Sequence, residues 1–485
     1  MGHHHHKINR RTFLGQASCA AVGMTTLFNT VLNLKTMNAA SAFNLHNLSG
    51  PFDDYKAVVC ILLSGGCDSY NMLVPTGTSD YNEYAATRSN QAIPKDDLIQ
   101  INPTNTNGKE FGLHPNMSNM ASIFESGNLA FVSNVGSLIE PTDKNGVING
   151  TDQLPLGLFS HADQIAHWQT AIPQDRVASG WGGKIADMLN DLPNGPASNP
   201  NISMNVSLSG SNVFQTGINT NQYSLDRIEG ANVLFGYSED WIESQLRKEV
   251  VDNMVDATYQ DIFKKTYMKT VQTGRDGGSE FAAALASATP LTTEFDLCDA
   301  QVADTYNCLS TALEMVAKAI NVRETLGMKR QIFFVEYGGW DHHEELLMTQ
   351  SAMMVELDNA LGAFNNAVTE MGLQDQVTTF SISEFSRTLT SNGNGTDHAW
   401  GGNMFVMGGA VSGQKIYGQY PQLALGSNLE IGNGVILPTT SADEYFAELA
   451  MWYNVPKSGL LDIFPNLGNF YSVTSPDSPI GFMNM

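Results

Sequence analysis

Charged residues are scarce in this sequence, and basic ones are the scarcest. Of its 485 residues 15% are charged, with 25 Lys and Arg against 49 Asp and Glu. So acidic a chain lacks the basic surface that nucleic acids and anionic membranes attract, and we exclude both as partners. It would also repel an anionic substrate unless a metal ion or an arginine reverses the local field.

Cysteine is also rare. The five cysteines include no Cys-x-x-Cys pair, which argues against a structural zinc site of that kind. Cys298 and Cys308 lie ten residues apart and are able to close a disulfide after export. Cys67 follows a predicted strand, and we interpret it as a buried structural thiol rather than a neighbour of a metal.

Long apolar runs are missing too. Outside the N-terminus no run approaches the roughly 18–20 apolar residues of a membrane-spanning helix. We therefore predict no membrane span in the mature protein.

The N-terminus predicts export. His3–His6 is interpreted as an expression tag, and Asn9–Leu14 contains the two arginines of a twin-arginine signal. A weakly apolar stretch follows, and Ala40–Ala42 offers small residues for cleavage. The alternative is a basic surface helix. We predict a tag and signal over residues 1–42, one domain over 43–485, and a periplasmic or secreted protein.

Alternating strands and helices follow the predicted signal. Strands are predicted over Val58–Leu63, Leu129–Val135, Ile202–Leu208, Ile332–Val335, Val377–Ser383 and Met404–Met407. Helices are predicted over Pro115–Glu125, from Ser160, over Gly180–Leu189, Asp240–Thr273, Tyr306–Leu326, Glu344–Met371 and Ala442–Tyr453. Strands separated by long helices imply a mostly parallel sheet covered on both faces, which is a three-layer α/β/α sandwich.

Ionisable residues follow three of these strands. Gly65–Asp68, Gly338–His343 and Ser383–Thr388 each come directly after a buried strand, and Gly395–His398 follows in a Gly- and Asn-rich loop. Ligand sites of open α/β sheets lie at the carboxyl ends of strands. These clusters therefore predict one shared pocket, rich in oxygen and nitrogen ligands and suited to metal.

Ordered motifs from about Tyr55 to Leu467 resemble an exported bacterial family catalogued as domain of unknown function 1501. That family is placed among relatives of alkaline phosphatases and sulfatases. The resemblance implies an alkaline-phosphatase-like fold, a metal site on the strand ends, and hydrolysis of phosphate or sulfate esters. The motifs are Gly65–Asn71, Leu113–Pro115, Leu129–Val132, Phe159–His161, Gly180–Trp181, Gly339–His343, Ser383–Thr388, Gly395–His398, Gly408–Gly409, Gly413 and Tyr417–Gly418.

The resemblance also implies a ligand set for one or two divalent ions, namely Zn, Mg, Ca or Mn. The implied metal ligands are Asp68, Asp341, His343, Glu384, Asp397 and His398. Asp341 and His343 are otherwise a hydrogen-bonded pair that caps a helix, and Asp397 is either a ligand or the partner of His398. Phe385 stands after Glu384 where phosphatases carry a histidine, which leaves the second ion open.

Ser160 and Arg387 are the predicted catalytic residues. Ser160 matches the superfamily's nucleophile at a helix N-terminus, where the dipole and free N–H groups favour anionic oxygens. Its alternative role is that of a simple N-cap. Arg387 either binds an anionic oxygen or pairs with Glu384. His161 faces either the site or solvent.

Two classes of function remain open from the sequence. The first is an exported metal-dependent hydrolase of phosphate or sulfate esters, acting on a small anionic ester or on a sulfated or phosphorylated polymer. The second is a non-catalytic secreted or cell-surface protein that keeps the fold. The substrate, the metal and the oligomeric state do not follow from the sequence.

Overall fold

The computed structural model describes residues 52, 54–190, 199–231, 241–296 and 308–485. Within these residues thirteen strands form two sheets. The strands are β1 (Lys56–Ser64), β2 (Leu73–Pro75), β3 (Ile99–Ile101), β4 (Phe111–Leu113), β5 (Leu129–Gly136), β6 (Asn205–Ser207), β7 (Tyr223–Asp226), β8 (Gly230–Ala231), β9 (Arg330–Gly338), β10 (Val377–Ile382), β11 (Gly402–Met407), β12 (Lys415–Gly418) and β13 (Thr440–Ser441). Every strand predicted from the sequence therefore corresponds to a strand of the structure.

Helices separate most of these strands. Within the described residues they are α1 (Ser69–Met72), α2 (Thr78–Arg88), α3 (Ser118–Glu125), α4 (Lys144–Asn149), α5 (His161–Thr170), α6 (Trp181–Asn190), α7 (Ile242–Asp256), α8 (Ile262–Ser287), α9 (Leu309–Asn321), α10 (Leu346–Glu370), α11 (Ala442–Trp452) and α12 (Leu460–Ile463).

The large sheet has the order β12-β5-β11-β10-β1-β9-β6-β7-β8, and β13 also pairs with β5. Six of its nine pairings are parallel, among them both pairings of the central strand β1. The exceptions are the pairings β10–β11, β11–β5 and β7–β8. The prediction of a mostly parallel central sheet is confirmed. A separate three-stranded antiparallel sheet has the order β2-β4-β3.

Helices cover the sheet on both faces. In β11, Phe405 lies opposite Phe131 of β5, and the next residue lies opposite Phe380 of β10. Because successive strand residues point to opposite faces, Phe131 and Phe380 lie on different faces. Phe131 packs against Phe124 of α3 and Phe380 against Trp181 of α6, with centroids 6.1 and 5.9 Å apart. The predicted α/β/α layering is confirmed.

One predicted helix is wrong. The span Asp240–Thr273 was expected to be a single amphipathic helix, but the described part contains the end-to-end helices α7 and α8. Ala257 is extended after α7, and the Asp261 carboxylate accepts a hydrogen bond from the Lys264 N–H. An aspartate that caps a helix start competes with continuation of the preceding helix.

Several sequence predictions fall on residues outside the described ranges. The tag, the twin-arginine motif and the predicted cleavage site all lie there, as does Cys298. Cys308 is disulfide-bonded, and Cys60 and Cys67 are free, buried thiols. Within the described residues, no helix combines the length and the hydropathy needed to cross a membrane.

A buried carboxyl group lies at the start of α11. Asp443 is 2% exposed, and its Oδ2 atom has no hydrogen-bond partner. Burial raises the pKa of Asp443 from 3.8 to about 8. Between about pH 4 and pH 8 the Asp443 carboxyl group is therefore protonated in the folded protein and ionised in the unfolded chain.

We expect the parent protein to lose stability as the pH rises through that window, because the unfolded state then binds fewer protons than the folded state. Asp443→Asn cannot titrate, so it should become more stable than the parent towards pH 8. The gain is of order 1–5 kcal/mol, since each pKa unit corresponds to about 1.4 kcal/mol. Urea unfolding at several pH values measures it, with the exposed Asp462→Asn as control. Parallel curves for Asp443→Asn and the parent would contradict the expectation.

Candidate metal centre

Three adjacent parallel strands deliver the predicted clusters to one edge of the sheet. β1 lies between β10 and β9, with Leu62 opposite Ile382 and Ser64 opposite Gly338. The chain segments after these three residues therefore leave the sheet side by side. This is the arrangement in which open α/β sheets place their ligand sites.

Gly65 joins the three segments. Its φ of 121° lies in a region that favours glycine, and a Cβ there would be 2.5 Å from the Asp341 nitrogen. Its N–H donates to Glu384 Oε1 at 2.8 Å, and its carbonyl accepts from Arg387 at 3.3 Å. Only glycine allows the first segment to lie this close to the other two.

Three imidazoles surround the carboxylate of Asp341. The Nε2 atoms of His343 and His398 lie 3.1 and 3.2 Å from Asp341 Oδ1 and 3.0 Å from each other. The Nε2 atom of His161 lies 3.4 Å from Asp341 Oδ2. The four side chains are partly exposed, so the centre is open to solvent.

Each imidazole uses its other nitrogen in a hydrogen bond. His398 Nδ1 lies 2.8 Å from the carbonyl oxygen of Phe159, which can only accept, so Nδ1 carries the proton. His161 Nδ1 lies 2.8 Å from Glu384 Oε1, and His343 Nδ1 lies 3.2 Å from Asp397 Oδ1. With Nδ1 donating to these acceptors, a neutral imidazole presents the lone pair of its Nε2 atom. Three lone pairs therefore meet beside one carboxylate.

His398 reaches the centre through a short backbone pairing. Arg387 and His398 form an isolated antiparallel bridge, which returns the chain from the loop after β10. Gly395 packs in the same loop against residues 342–343, where a Cβ would be 2.3 Å from the His343 carbonyl carbon. The Gly-rich composition of this loop is what allows it to lie directly over the segment after β9.

Arg387 lies behind Asp341 and is fully buried. Its Nη1 donates to Asp341 Oδ1 at 2.6 Å, and its other donors reach the hydroxyl and carbonyl of Thr396. Partial burial acts to raise the pKa of Asp341, but the guanidinium outweighs it and holds that pKa below its usual range. Asp341 is therefore kept ionised, as a metal ligand must be.

Glu384 is buried and orients His161. Besides its contact with His161, Glu384 holds α5 through its backbone carbonyl, which accepts from Gln164 and Trp168 at 3.1 and 2.9 Å. The hydrogen bond from His161 to Glu384 raises the pKa of His161, against the opposing effect of burial. The predicted pairing of Glu384 with Arg387 is not among the ion pairs of the described residues, where Arg387 pairs with Asp341.

Asp68 lies outside this cluster. Its carboxylate forms a fully buried ion pair with Arg88, whose Nη1 also donates to the Thr388 carbonyl at 2.9 Å. A carboxylate already compensated by a buried guanidinium has one oxygen fewer for a metal. Of the residues predicted for a shared pocket, the structure brings together Asp341, Glu384, His343 and His398, and it pairs Asp68 with Arg88.

Ser160 is the N-cap of α5. Its Oγ accepts a hydrogen bond from the Asp163 N–H at 3.5 Å. Its two neighbours both touch the centre, Phe159 through its carbonyl and His161 through its ring. Ser160 is therefore adjacent to the centre in sequence, at a helix N-terminus that favours anionic groups.

His161 is the residue of the centre that the sequence left open. The choice between site and solvent depends on the direction in which α5 leaves its N-cap, and no local pattern reports that direction. Between His342 and His343, the structure places His343 at the centre. His342 is buried without a hydrogen-bond partner for its ring nitrogens, and burial lowers its pKa to about 4.

The donor set fits a divalent metal ion. One ligand atom each of His161, Asp341 and His398 lie within 4.8 Å of one another. Two ligands of one ion lie at most about 4.4 Å apart, since zinc–nitrogen and zinc–oxygen bonds are about 2.0–2.2 Å long, so small side-chain shifts would let the three atoms share one ion. Histidines that donate their other N–H to a carboxylate or carbonyl are typical of metal sites.

The fold and the site define a layered α/β protein that has a candidate metal centre at the edge of its sheet. The chain matches the model of a family described as "Protein of unknown function (DUF1501)" over residues 235–430. This match confirms the family resemblance inferred from the motifs. No curated protein matches the chain.

Solved structures similar to the chain include a sulfatase and an alkaline phosphatase. Ps i-CgsB in complex with k-i-k-neocarrahexaose is 11% identical, with 83% of this chain and 72% of that chain covered and a TM-score of 0.33. The PsFucS1 sulfatase from Pseudoalteromonas sp. is 11% identical, with coverage of 79% and 68% and a TM-score of 0.30. The alkaline phosphatase of the Antarctic bacterium TAB5 is 11% identical, with coverage of 74% and 93% and a TM-score of 0.25. Because these values are low, function is argued below from the residues of this chain.

Proposed function

We propose that the protein is an exported, metal-dependent hydrolase of phosphate or sulfate esters. The observation that carries the proposal is the convergence of Asp341, His343 and His398 at the carboxyl end of the sheet, with both Nε2 atoms within 3.2 Å of one carboxylate oxygen. His343 and His398 come from segments more than 50 residues apart, and their Nε2 atoms lie 3.0 Å from each other. If both imidazoles keep the proton on Nδ1, two lone pairs meet there, and an ion would satisfy them.

The residues around the centre would hold and orient the ion. Asp341, His343 and His398 would bind it, while Asp397 and the Phe159 carbonyl orient the two imidazoles. A bound divalent ion would act as a Lewis acid on an ester oxygen and supply a water of lowered pKa. The open face of the centre suits either a small anionic ester or the end of a sulfated or phosphorylated polymer.

Ser160 is the proposed nucleophile. It stands between two residues that contact the centre, at the N-terminus of α5, where the helix dipole and free N–H groups favour anions. Its Oγ accepts a hydrogen bond from a backbone N–H, so its own proton remains free to leave. Arg387 takes the role of a positioning residue, since its guanidinium is buried behind Asp341.

Ser160→Ala tests this role. We expect hydrolysis of aryl phosphates or aryl sulfates to fall by at least about 100-fold while metal content stays at the parent level, because losing a nucleophile removes the covalent route but no ligand. Loss of an N-cap alone costs only about 0.5–2 kcal/mol of stability and leaves turnover measurable.

The matched control is Ser441→Ala, which removes the N-cap of α11 far along the chain from the centre. It should share the loss of stability and keep full turnover. If Ser160→Ala turns over as fast as Ser441→Ala, Ser160 is only a cap. If the parent hydrolyses neither ester class with any of Zn²⁺, Mg²⁺, Ca²⁺ or Mn²⁺, the hydrolase proposal is wrong.

The second candidate is a non-catalytic exported protein that binds a metal ion. Arg387, the cation beside the centre, is engaged by Asp341, Gly65 and Thr396, and this favours a role in holding the centre rather than in binding an anion. This candidate predicts tight metal binding without turnover of either ester class. The same assay, read together with metal content, separates the two.

A further inference from the structure

The side chain of His161 is poised as a metal ligand. Its Nε2 atom is buried and has no hydrogen-bond partner, and it lies 3.4 Å from Asp341 Oδ2. Its ring centroid lies 4.4 Å from that of His398. A buried nitrogen without a hydrogen-bond partner needs an explanation. An ion bound between His161 Nε2 and the Asp341 carboxylate, beside the other two imidazoles, would supply the missing partner.

Glu384 determines which nitrogen of His161 faces the centre. Glu384 Oε1 accepts from both the Gly65 N–H and His161 Nδ1, each at 2.8 Å. This leaves Nε2 of His161 with the lone pair. All three imidazoles then follow one pattern, in which Nδ1 donates to an acceptor of the protein and Nε2 faces the centre.

Phe385 explains why the third imidazole comes from a helix. The ring of Phe385 stacks on His398 with centroids 4.6 Å apart and touches His161 at 4.9 Å. The residue that follows Glu384 therefore forms an apolar wall behind two of the imidazoles instead of offering a ligand. An imidazole on that side has to be supplied from elsewhere, and the first turn of α5 supplies it.

We propose that His161, His343, His398 and Asp341 form a single three-histidine, one-carboxylate centre for a zinc-class ion, with Glu384 as the orienting partner of His161. The inference rests on the proposal that this centre binds a metal. Imidazole nitrogens select zinc and neighbouring transition metals, whereas Mg²⁺ and Ca²⁺ prefer sites made of oxygen ligands. Asp68 is paired to Arg88 through Oδ2, and the proposed centre holds one ion without it.

Zinc affinity, measured by competition with a chromogenic chelator, tests the assignment without any activity assay. His161→Ala should lower the affinity by more than about 100-fold and Glu384→Gln by about 10–100-fold, the usual cost of losing an orienting partner. Mg²⁺ in large excess should displace no Zn²⁺. His167→Ala, which removes a buried imidazole from the same helix, should bind Zn²⁺ like the parent.

The histidine run at residues 3–6 binds divalent ions itself, so affinities are compared among proteins that all carry it. For X-ray absorption the histidine run is removed, Zn²⁺ is added at one equivalent, and the zinc edge counts the imidazoles bound in the otherwise unchanged parent. Three imidazoles support the proposal and two overturn it. This measurement needs no variant, so a His161 variant that fails to fold does not affect it.

The outcomes distinguish a failure of His161 as a ligand from a failure of the proposal that the centre binds a metal. If His398→Ala loses Zn²⁺ while His161→Ala binds it like the parent, His161 is no ligand, yet the centre stands. If the parent binds no Zn²⁺ beyond what the triple variant lacking His161, His343 and His398 binds, both fail. A second tightly bound ion that Glu384→Gln removes would make Glu384 a ligand and overturn the single-ion centre.

Discussion

His398→Ala is expected to lose bound metal and ester hydrolysis together. His398 contributes an Nε2 atom that lies 3.0 Å from His343 Nε2 and 3.2 Å from Asp341 Oδ1, so its loss opens the middle of the centre. Losing an orienting partner already costs about 10–100-fold in metal affinity or activity, and losing a ligand should exceed that. Removing the ion from the parent with a chelator should abolish turnover to the same level.

The measurement is metal content after dialysis together with kcat/KM for the ester that the parent prefers. His167→Ala is again the control, since it removes an imidazole of α5 but no ligand. Zn²⁺ added back should restore the chelated parent and leave His398→Ala inactive. Parent-like metal content in His398→Ala would contradict the site.

Arg88→Met should destabilise the fold by about 3–5 kcal/mol, the usual cost of leaving one partner of a buried ion pair without compensation. Both Arg88 and Asp68 are fully buried, and Arg88 also binds the carbonyl of Thr388. The double variant Arg88→Met, Asp68→Asn removes the unpaired charge, so we expect it to regain part of the stability.

Denaturant unfolding in the presence of a chelator isolates this effect from metal binding. The matched control is Arg176→Met, which removes a guanidinium that is 68% exposed and paired with Asp163. A pair exposed to that extent should contribute no more than about 1 kcal/mol. If Arg88→Met and Arg176→Met lowered the free energy of unfolding equally, the buried pair would contribute no more to stability than the exposed pair.

The two carboxylates of Asp68 and Asp341 illustrate how similar sequence contexts acquire different roles. Both follow a buried strand of the same sheet after glycines, and both meet an arginine. Arg88 takes Asp68 into a fully buried pair, whereas Arg387 leaves Asp341 partly exposed beside three imidazoles. The difference lies in the partners, which come from distant parts of the chain.

The sequence by itself determined the layered fold and the edge at which the site lies. Runs such as Val58–Leu63 and Val377–Ser383 are buried on both faces, and such apolar runs between helices specify a covered, mostly parallel sheet. Because parallel neighbours end at the same edge, the clusters after them had to lie near one another. The placing of Asp341, His343 and Glu384 in one region follows from this, whereas His398 is returned to it by the loop after β10.

Only the tertiary structure decided which side chains meet. The contact between His161 and Glu384 joins residues 223 positions apart, and it depends on how α5 docks against the end of β10. Asp68 is among the metal ligands that the family resemblance implies, and only the tertiary structure shows that its Oδ2 atom pairs with the buried guanidinium of Arg88. Local patterns report burial and chain direction. The pairing of polar groups depends on which compensating charge or hydrogen-bond partner packing brings within about 3 Å, because a buried polar group is costly without one.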